Sequence, residues 1–411
     1  MVIPEEFQRQ TRQLMGDERY GRFMQALDEP SPVSIRLNPR NAQGLSIPDG
    51  YAAVPWCPQG YYLPVRPNFT FDPLLHAGCY YVQEASSMFV NRVLRQYVQQ
   101  PVTMLDMCAA PGGKSTAARA VLPEGSLLVS NEPVRQRANV LAENIEKWGY
   151  PDCIVTNNYP KDFRKSKLLF DVILCDVPCS GEGMFRKDPA SVGEWSLQNV
   201  ERCWRLQREI VAEAWQCLTE GGLLIYSTCT YNTKENEENI RWMMEELGAE
   251  VLPVDVKAEW NITGSLLDGF TAPVYRFIPG YTKGEGLFMA VMRKGSLTPG
   301  PSRGGEGSTC LLRSKLEKNL KELNVYTPLS PARGAGGEAP LSYAQAISYL
   351  RGEALVLPPE TPRGLVVVTF LGHALGLVKN IGNRANNLYP KGWRIKSTHI
   401  PQEYETILRP A

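Results

Sequence analysis

Histidine is scarce in this chain. Only His76, His373 and His399 occur in 411 residues, far apart, and the ten cysteines include no C-x-x-C pair. Structural zinc needs closely spaced cysteine and histidine ligands, so no metal site is expected. Long apolar runs are also missing: nothing approaches the roughly 18 residues that a membrane helix requires. The opening MVIPEEFQRQ has neither the apolar stretch nor the cleavage pattern of a secretory signal. The expectation is a cytoplasmic protein that does not enter a membrane, with cysteines that are mostly reduced thiols. Net charge is small as well, at +1, while 43% hydrophobic and 21% charged residues are the proportions of an ordinary folded chain. The length suggests two or three domains.

The small net charge conceals an asymmetry. Residues 311–411 carry 13 Lys and Arg against 7 Asp and Glu, so the rest of the chain is mildly acidic. A basic terminal part points to a polyanionic partner. Its removal after Lys294 should weaken binding of that partner and flatten its salt dependence while leaving binding by the rest of the chain intact. Gly, Pro and Ser crowd KGSLTPGPSRGGEGST at 294–309, which reads as a linker. Pro4 to Leu27 has helical spacing, with Phe7, Leu14, Phe23 and Leu27 able to share a face, and Pro48 to Pro73 is turn-rich. Between Thr103 and Lys294, apolar runs at 104–107, 126–130, 153–156, 171–175, 223–227 and 287–292 alternate with helical segments at 114–121, 134–148, 196–217 and 234–247. That alternation predicts an α/β fold with a parallel, doubly wound sheet, whose ligands bind beyond the carboxyl ends of the strands.

The first strand ends at Asp106 and runs through Cys108, Ala109, Ala110, Pro111, Gly112 and Gly113 to Lys114, where a helix opens. Small residues there let a ligand approach the backbone. Gly113-Lys114-Ser115 resembles the end of a phosphate-binding loop, but the G-x-x-x-x-G-K-[ST] motif requires glycine where Cys108 stands. A nucleoside cofactor without pyrophosphate fits better, because Glu132 follows the second strand and can accept hydrogen bonds from ribose hydroxyls. An S-adenosylmethionine site is therefore expected. Strands four and five end in Asp176-Val177-Pro178-Cys179 and Ser227-Thr228-Cys229. Paired neighbours lie about 4.8 Å apart, so the two sulfurs can face one pocket. A thiol needs a nearby positive charge or helix terminus to become an effective nucleophile at neutral pH.

With CAAPGGK at 108–114, DVPCSGEG at 176–183 and STCTYN at 227–232 in this order, the chain resembles the RNA cytosine-5 methyltransferases of the Nop2/Sun/RsmF family. GCYYVQEASSM at 78–88 is similar to that family's segment ahead of the core, and NNLYPKG at 386–392 resembles its bacterial ribosomal RNA branch. The resemblance implies a Rossmann-like methyltransferase core at 77–295 with an RNA-binding region at 1–76. A linker at 296–309 and a PUA-like RNA-binding domain at 310–411 would complete the chain. It implies Cys229 as the nucleophile, Cys179 as the group that helps remove the carbon 5 proton, and Asp176 as the contact to the base. Cofactor contacts would be Cys108 to Lys114, Glu132, Arg137 and Asp176, with Asn157 or Asn158 bordering the adenine. Lys187 is a candidate phosphate contact. A target base must leave its stack to enter such a pocket. Phe370, His373, Tyr389 and Trp393, set among Lys379, Arg384, Lys391, Arg394 and Lys396, are candidate RNA contacts in the tail, with at least half of the aromatics expected to form the small domain's own core instead. The expected partner is ribosomal RNA, in particular that of the small subunit. Transfer RNA is the other candidate substrate, and a catalytically silent RNA-binding assembly factor or an ATPase is the alternative from another class.

Overall fold

The computed structural model describes residues 3–295, 323–326, 335–397, 399–401, 404 and 406–411; the expected linker at 296–309 lies outside the described residues. The middle of the chain forms strands β1 (Thr103–Asp106), β2 (Leu127–Asn131), β3 (Cys153–Thr156), β4 (Phe170–Asp176), β5 (Leu218–Thr228), β6 (Ala249–Leu252), β7 (Tyr275–Phe277), β8 (Leu287–Lys294) and β9 (Val325–Tyr326). Between them run helices α1 (Gly113–Arg119), α2 (Arg135–Trp148), α3 (Pro160–Ser166), α4 (Leu197–Gln216) and α5 (Glu237–Leu247). The sheet order is β6-β8-β5-β4-β1-β2-β3-β9, parallel from β5 to β3, with β7 paired to β8.

Alternation along the central strands fills both faces. Met104, Leu128, Val172 and Ile225 enter one core, while Leu105, Val129, Ile173 and Leu224 enter the other. A strand buried on both faces has no polar side to show, which is why these segments read as apolar runs. The chain lays β2 and β3 on one side of β1, then returns to place β4 on the other. The carboxyl ends of β1 and β4 thus flank the crevice where an open sheet of this kind binds its ligand.

The first 82 residues are more structured than their turn-rich sequence suggests. The helical pattern from Pro4 to Leu27 breaks at Gly16, whose φ of +74° ends one helix, Glu5–Met15, before Asp17–Asp28 begins. Phe7 and Phe23 from these helices contact Phe185 and Tyr231 at ring-centroid distances of 5.0 and 4.9 Å, so they lie directly against the loops after β4 and β5. Ala52–Ala53, Gly60–Leu63, Val33–Leu37 and Tyr80–Val82 pair into a sheet of their own. Tyr80–Val82, on the catalytic side of the boundary expected at 76, is thus a strand of the N-terminal sheet.

The tail folds into a second small sheet of Glu338–Pro340, Gly364–Phe370, His373–Asn380 and Ala385–Asn387, with the helix Tyr343–Leu350 against it. Its core is not separate. Ile35, Phe71, Leu74 and Tyr80 belong to the same apolar cluster as Ile347, Leu350, Val368 and Leu408. Buried Asp72 accepts hydrogen bonds from Leu74 N, Tyr80 Oη and Ile407 N, and Arg409–Pro410 pairs with Leu45–Ser46. The two ends of the chain are therefore one packed unit beside the central sheet.

Candidate active site

Asp106, at the end of β1, is fully buried. Its Oδ2 accepts a hydrogen bond from Ser115 Oγ at 2.6 Å, and its Oδ1 has no side-chain hydrogen-bond partner among the described residues. Burial pushes this carboxyl up to about 7, opposed by the Ser115 hydroxyl. The loop beyond is fixed by Ala109 N to Asn131 O at 2.8 Å, Gly112 N to Ala109 O at 2.7 Å and Arg137 Nη2 to Ala110 O at 3.1 Å. Burial and the nearby Cys175 and Asp106 hold the Cys108 thiol well above its ordinary range. Gly112 also has a packing role. Its φ is +110°, and a Cβ there would sit 3.2 Å from Leu141 Cδ1, so the missing side chain makes room for α2.

Glu132 follows β2 with its side chain only 1% exposed, accepting from Val134 N at 2.9 Å and lying 3.5 Å from Arg137. Asn157 donates its amide to the carbonyls of Glu132 and Pro133 at 2.7 and 2.9 Å, while Asn158 accepts from Asn324 N at 3.1 Å. Asn157 is thus the asparagine tied to the turn after β2. Asn158 is committed to the strand that edges the sheet.

The loops after β4 and β5 bring together two sulfurs that are 50 residues apart in sequence. Ser227 is the register partner of Asp176, and Cys179 Sγ lies 3.1 Å from Cys229 Sγ. Sharing a hydrogen with Cys229 is the largest of the effects that raise the Cys179 thiol well above its usual range, followed by burial and then the charges of Cys229 and Glu235. The Cys179 thiol therefore stays protonated at neutral pH. Asp176 is held from both sides, by Lys114 Nζ at 2.8 Å and Ser227 Oγ at 2.7 Å. Burial acts to lower the Lys114 ammonium, but Asp176 and then Cys229 act the other way and leave it above its ordinary value. The cation at the start of α1 is therefore bonded to the acid that ends β4 and influenced by the charge of the cysteine after β5, an arrangement that no spacing in the sequence displays.

Sequence reasoning also missed Arg36. It is fully buried, its guanidinium carbon 4.4 Å from the centre of the Trp148 ring, with Nε on Gln83 Oε1 at 2.7 Å and Nη2 on Thr116 Oγ1 at 2.6 Å. A guanidinium can fan several donors onto neighbouring oxygens, and here they join the N-terminal sheet to the first turn of α1. An arginine set between the apolar Ile35 and Leu37 in VSIRL is the signal that could have been read. Among the tail aromatics, Phe370 and Tyr389, half of the four, are buried in the core that the tail shares with the N-terminal sheet, while the other two are less enclosed. Trp393 packs on Tyr389 and against Lys147, His373 is half-buried, and Lys187 is exposed.

Residues 94–293 match the family described as 16S rRNA methyltransferase RsmB/F. Residues 3–85 match the N-terminal domain of 16S rRNA methyltransferase RsmF, and 338–395 the methyltransferase RsmF PUA domain. A ribosomal RNA small subunit methyltransferase F of Pectobacterium atrosepticum is 34% identical over 69% of this chain, an alignment that spans 60% of that protein. One from an Enterobacter species is 29% identical over 95% of this chain and 96% of its own length. Among solved structures, a methyltransferase homolog protein from Pyrococcus horikoshii has 25% identity and a TM-score of 0.58, covering 71% of this chain and 95% of that one. NSun6 from the same organism, solved with SFG, shares the fold at 21% identity and a TM-score of 0.59, over 71% of this chain and 98% of its own.

Proposed function

The chain belongs to the 16S rRNA methyltransferase RsmB/F family, and from that premise we propose that it methylates carbon 5 of a cytosine in small-subunit ribosomal RNA through a covalent cysteine adduct. The observation that carries this reading is the pair of sulfurs, 3.1 Å apart at the ends of adjacent strands, beside the Lys114–Asp176 ion pair. A single nucleophile would need no second thiol.

S-adenosylmethionine, when bound, supplies an electrophilic methyl group. The residues present suit it: the loop from Cys108 to Lys114 with Arg137 across it, the carboxylates of Glu132 and Asp176, and an oxygen on Asp106 beneath the loop that no described side chain partners. Carbon 5 of cytosine is a weak nucleophile, and addition of the Cys229 thiolate to carbon 6 gives it enamine character. The Cys179 thiol lies 3.1 Å from Cys229, and the Lys114 cation is held on Asp176 in the neighbouring strand. Asp176 keeps lone pairs to accept from the exocyclic amine of the base, or from its ring nitrogen once that is protonated in the adduct, stabilising the addition electrostatically. Once Cys229 is bonded to carbon 6, Cys179 no longer faces an anionic sulfur. Its proton then leaves more readily for water, and the resulting thiolate takes the carbon 5 proton, after which the carbon 6–sulfur bond breaks.

The decisive experiment separates the cysteines. Each variant is incubated with RNA and S-adenosylmethionine and run on a denaturing gel. Cys179→Ser should accumulate a ribonuclease-sensitive protein–RNA band, and Cys229→Ser and the double variant should not. A band from Cys229→Ser would reverse the roles. No band from either, in variants that bind both ligands, would count against covalent catalysis. Thermal protection by S-adenosylhomocysteine, and none by ATP with magnesium, tests the cofactor. Bisulfite sequencing of total RNA from a deletion strain and its parent identifies the target, and a signal lost from transfer RNA alone would overturn the ribosomal assignment.

A further inference from the structure

Two acids behind the cysteines take no part in the chemistry just described. Glu182 follows Cys179 on the loop after β4, and Glu235 follows Cys229 on the loop after β5; both are buried. Their hydrogen bonds cross. Glu182 Oε2 accepts the backbone N–H groups of Tyr231 and Asn232 at 2.6 and 3.1 Å, on the Cys229 side. Glu235 Oε2 accepts the backbone N–H of Ser180 at 3.0 Å, on the Cys179 side. The Asn232 amide bridges the acids, donating to Glu182 Oε1 at 3.0 Å and Glu235 Oε1 at 2.8 Å. Trp195 Nε1 and Gln207 Nε2 supply one further donor each, at 3.0 and 2.7 Å. Every donor in this set is neutral.

Burying two carboxylates side by side is costly, and a loop junction that needed only packing would be made with apolar or amide side chains. A carboxylate differs from an amide in being acceptor-only at both oxygens. Here each acid receives one or two backbone N–H groups of the opposite loop within one to three residues of the opposite cysteine. We propose that Glu182 and Glu235 are positioning residues, a crossed pair of acceptors that ties the Cys179 loop to the Cys229 loop and sets the reach between the two sulfurs. This rests on the reading of both cysteines as reactive. Replacing either acid by glutamine turns an NH2 group toward the N–H donors, so the loops should part without loss of the surrounding core.

The reach can be measured without RNA or cofactor. Diamide oxidises two neighbouring thiols to a disulfide: the sulfurs lose two protons and two electrons, and the azo bond of the reagent becomes a hydrazine. The rate of Cys179–Cys229 disulfide closure, followed by peptide mass spectrometry, therefore reports how often the sulfurs meet. Glu235→Gln and Glu182→Gln should each slow closure at least tenfold and lower kcat with little change in the KM for S-adenosylmethionine. Asn232→Ala, which removes the bridge but leaves both acids, should slow it less. If a glutamine variant fails to fold, Glu182→Asp, which keeps the charge and shortens the reach, makes the same test. Closure at the wild-type rate in folded variants would overturn the proposal. Normal closure slowing in a chain whose Cys179→Ser form traps no RNA would leave the positioning role standing and overturn the covalent mechanism instead.

Discussion

At the scale of single residues, the site depends on where one cation points. Lys114 opens α1, with 13% of its side chain exposed, and is bonded to Asp176. A buried ammonium is retained when opposite charge surrounds it, and here both Asp176 and Cys229 contribute. Lys114→Met should therefore leave Asp176 without its cation and make Cys229 less nucleophilic. We predict that alkylation of Cys229 by iodoacetamide at pH 7 slows by about tenfold, equivalent to about 1.4 kcal/mol, as read from the modified peptide. An unchanged rate would remove Lys114 from the account of the thiolate. Cys175 and Cys217, which burial keeps as thiols well above neutral pH, serve as unreactive internal controls.

At the scale of elements, the site is a set of strand ends whose helices are locked in place. Gly112→Val would put a Cβ at a φ of +110° and 3.2 Å from Leu141 Cδ1, so it acts through backbone strain and the packing of α2. The expected result is a loss of stability on the order of 1–3 kcal/mol, seen in denaturant melts. Leu141→Ala in the same chain should recover the steric part only. Full recovery would show that the backbone conformation costs little. Arg36→Met should leave oxygens of Gln83 and Thr116 without their donor, at about 1–3 kcal/mol, and raise the KM for S-adenosylmethionine while RNA affinity holds. An equal loss of both would mean that Arg36 supports the whole fold and not α1 in particular. The elements of the central sheet were readable because strands buried on both faces are apolar runs, and those runs fell within a few residues of β1 to β5 and β8. Both cysteines and Asp176 were readable because each sits just past a strand end. The N-terminal sheet was not, since strands of two to five residues amid Pro and Gly carry too little periodicity to separate from turns. The Lys114–Asp176 pair and the crossed acids were equally hidden, because they join residues that only the sheet order brings together.

At the scale of the molecule, the shared core of the two ends changes what removing the tail would do. A cut after Lys294 was expected to spare cofactor binding, yet it would strip cover from Phe71, Leu74 and the Asp72 carboxylate, all buried. The truncated chain should melt well below the full one and associate through the uncovered face, which sedimentation would detect. Surface changes such as Lys379→Glu or Lys396→Glu are the cleaner test of RNA affinity and its salt slope. His76 lies in this seam, its ring nitrogens bonded to Thr70 O and Tyr389 Oη, and burial, with Lys147, lowers it to about 4. The unfolded chain, with an ordinary histidine near 6.5, binds the proton first. The seam's contribution should therefore be complete above about pH 6.5 and decline toward pH 4. His76→Asn should flatten that difference in melting temperature, and an identical profile would exclude His76 as its source. The joined termini also impose an order in time. Val82 leaves the ribosome some 330 residues before the last of the chain, and synthesis at 5–20 residues per second makes that a wait of roughly 15–65 s. For that interval the inner face of the first sheet lacks the cover that the tail gives it. The part of this protein that is made first is among the last to be finished.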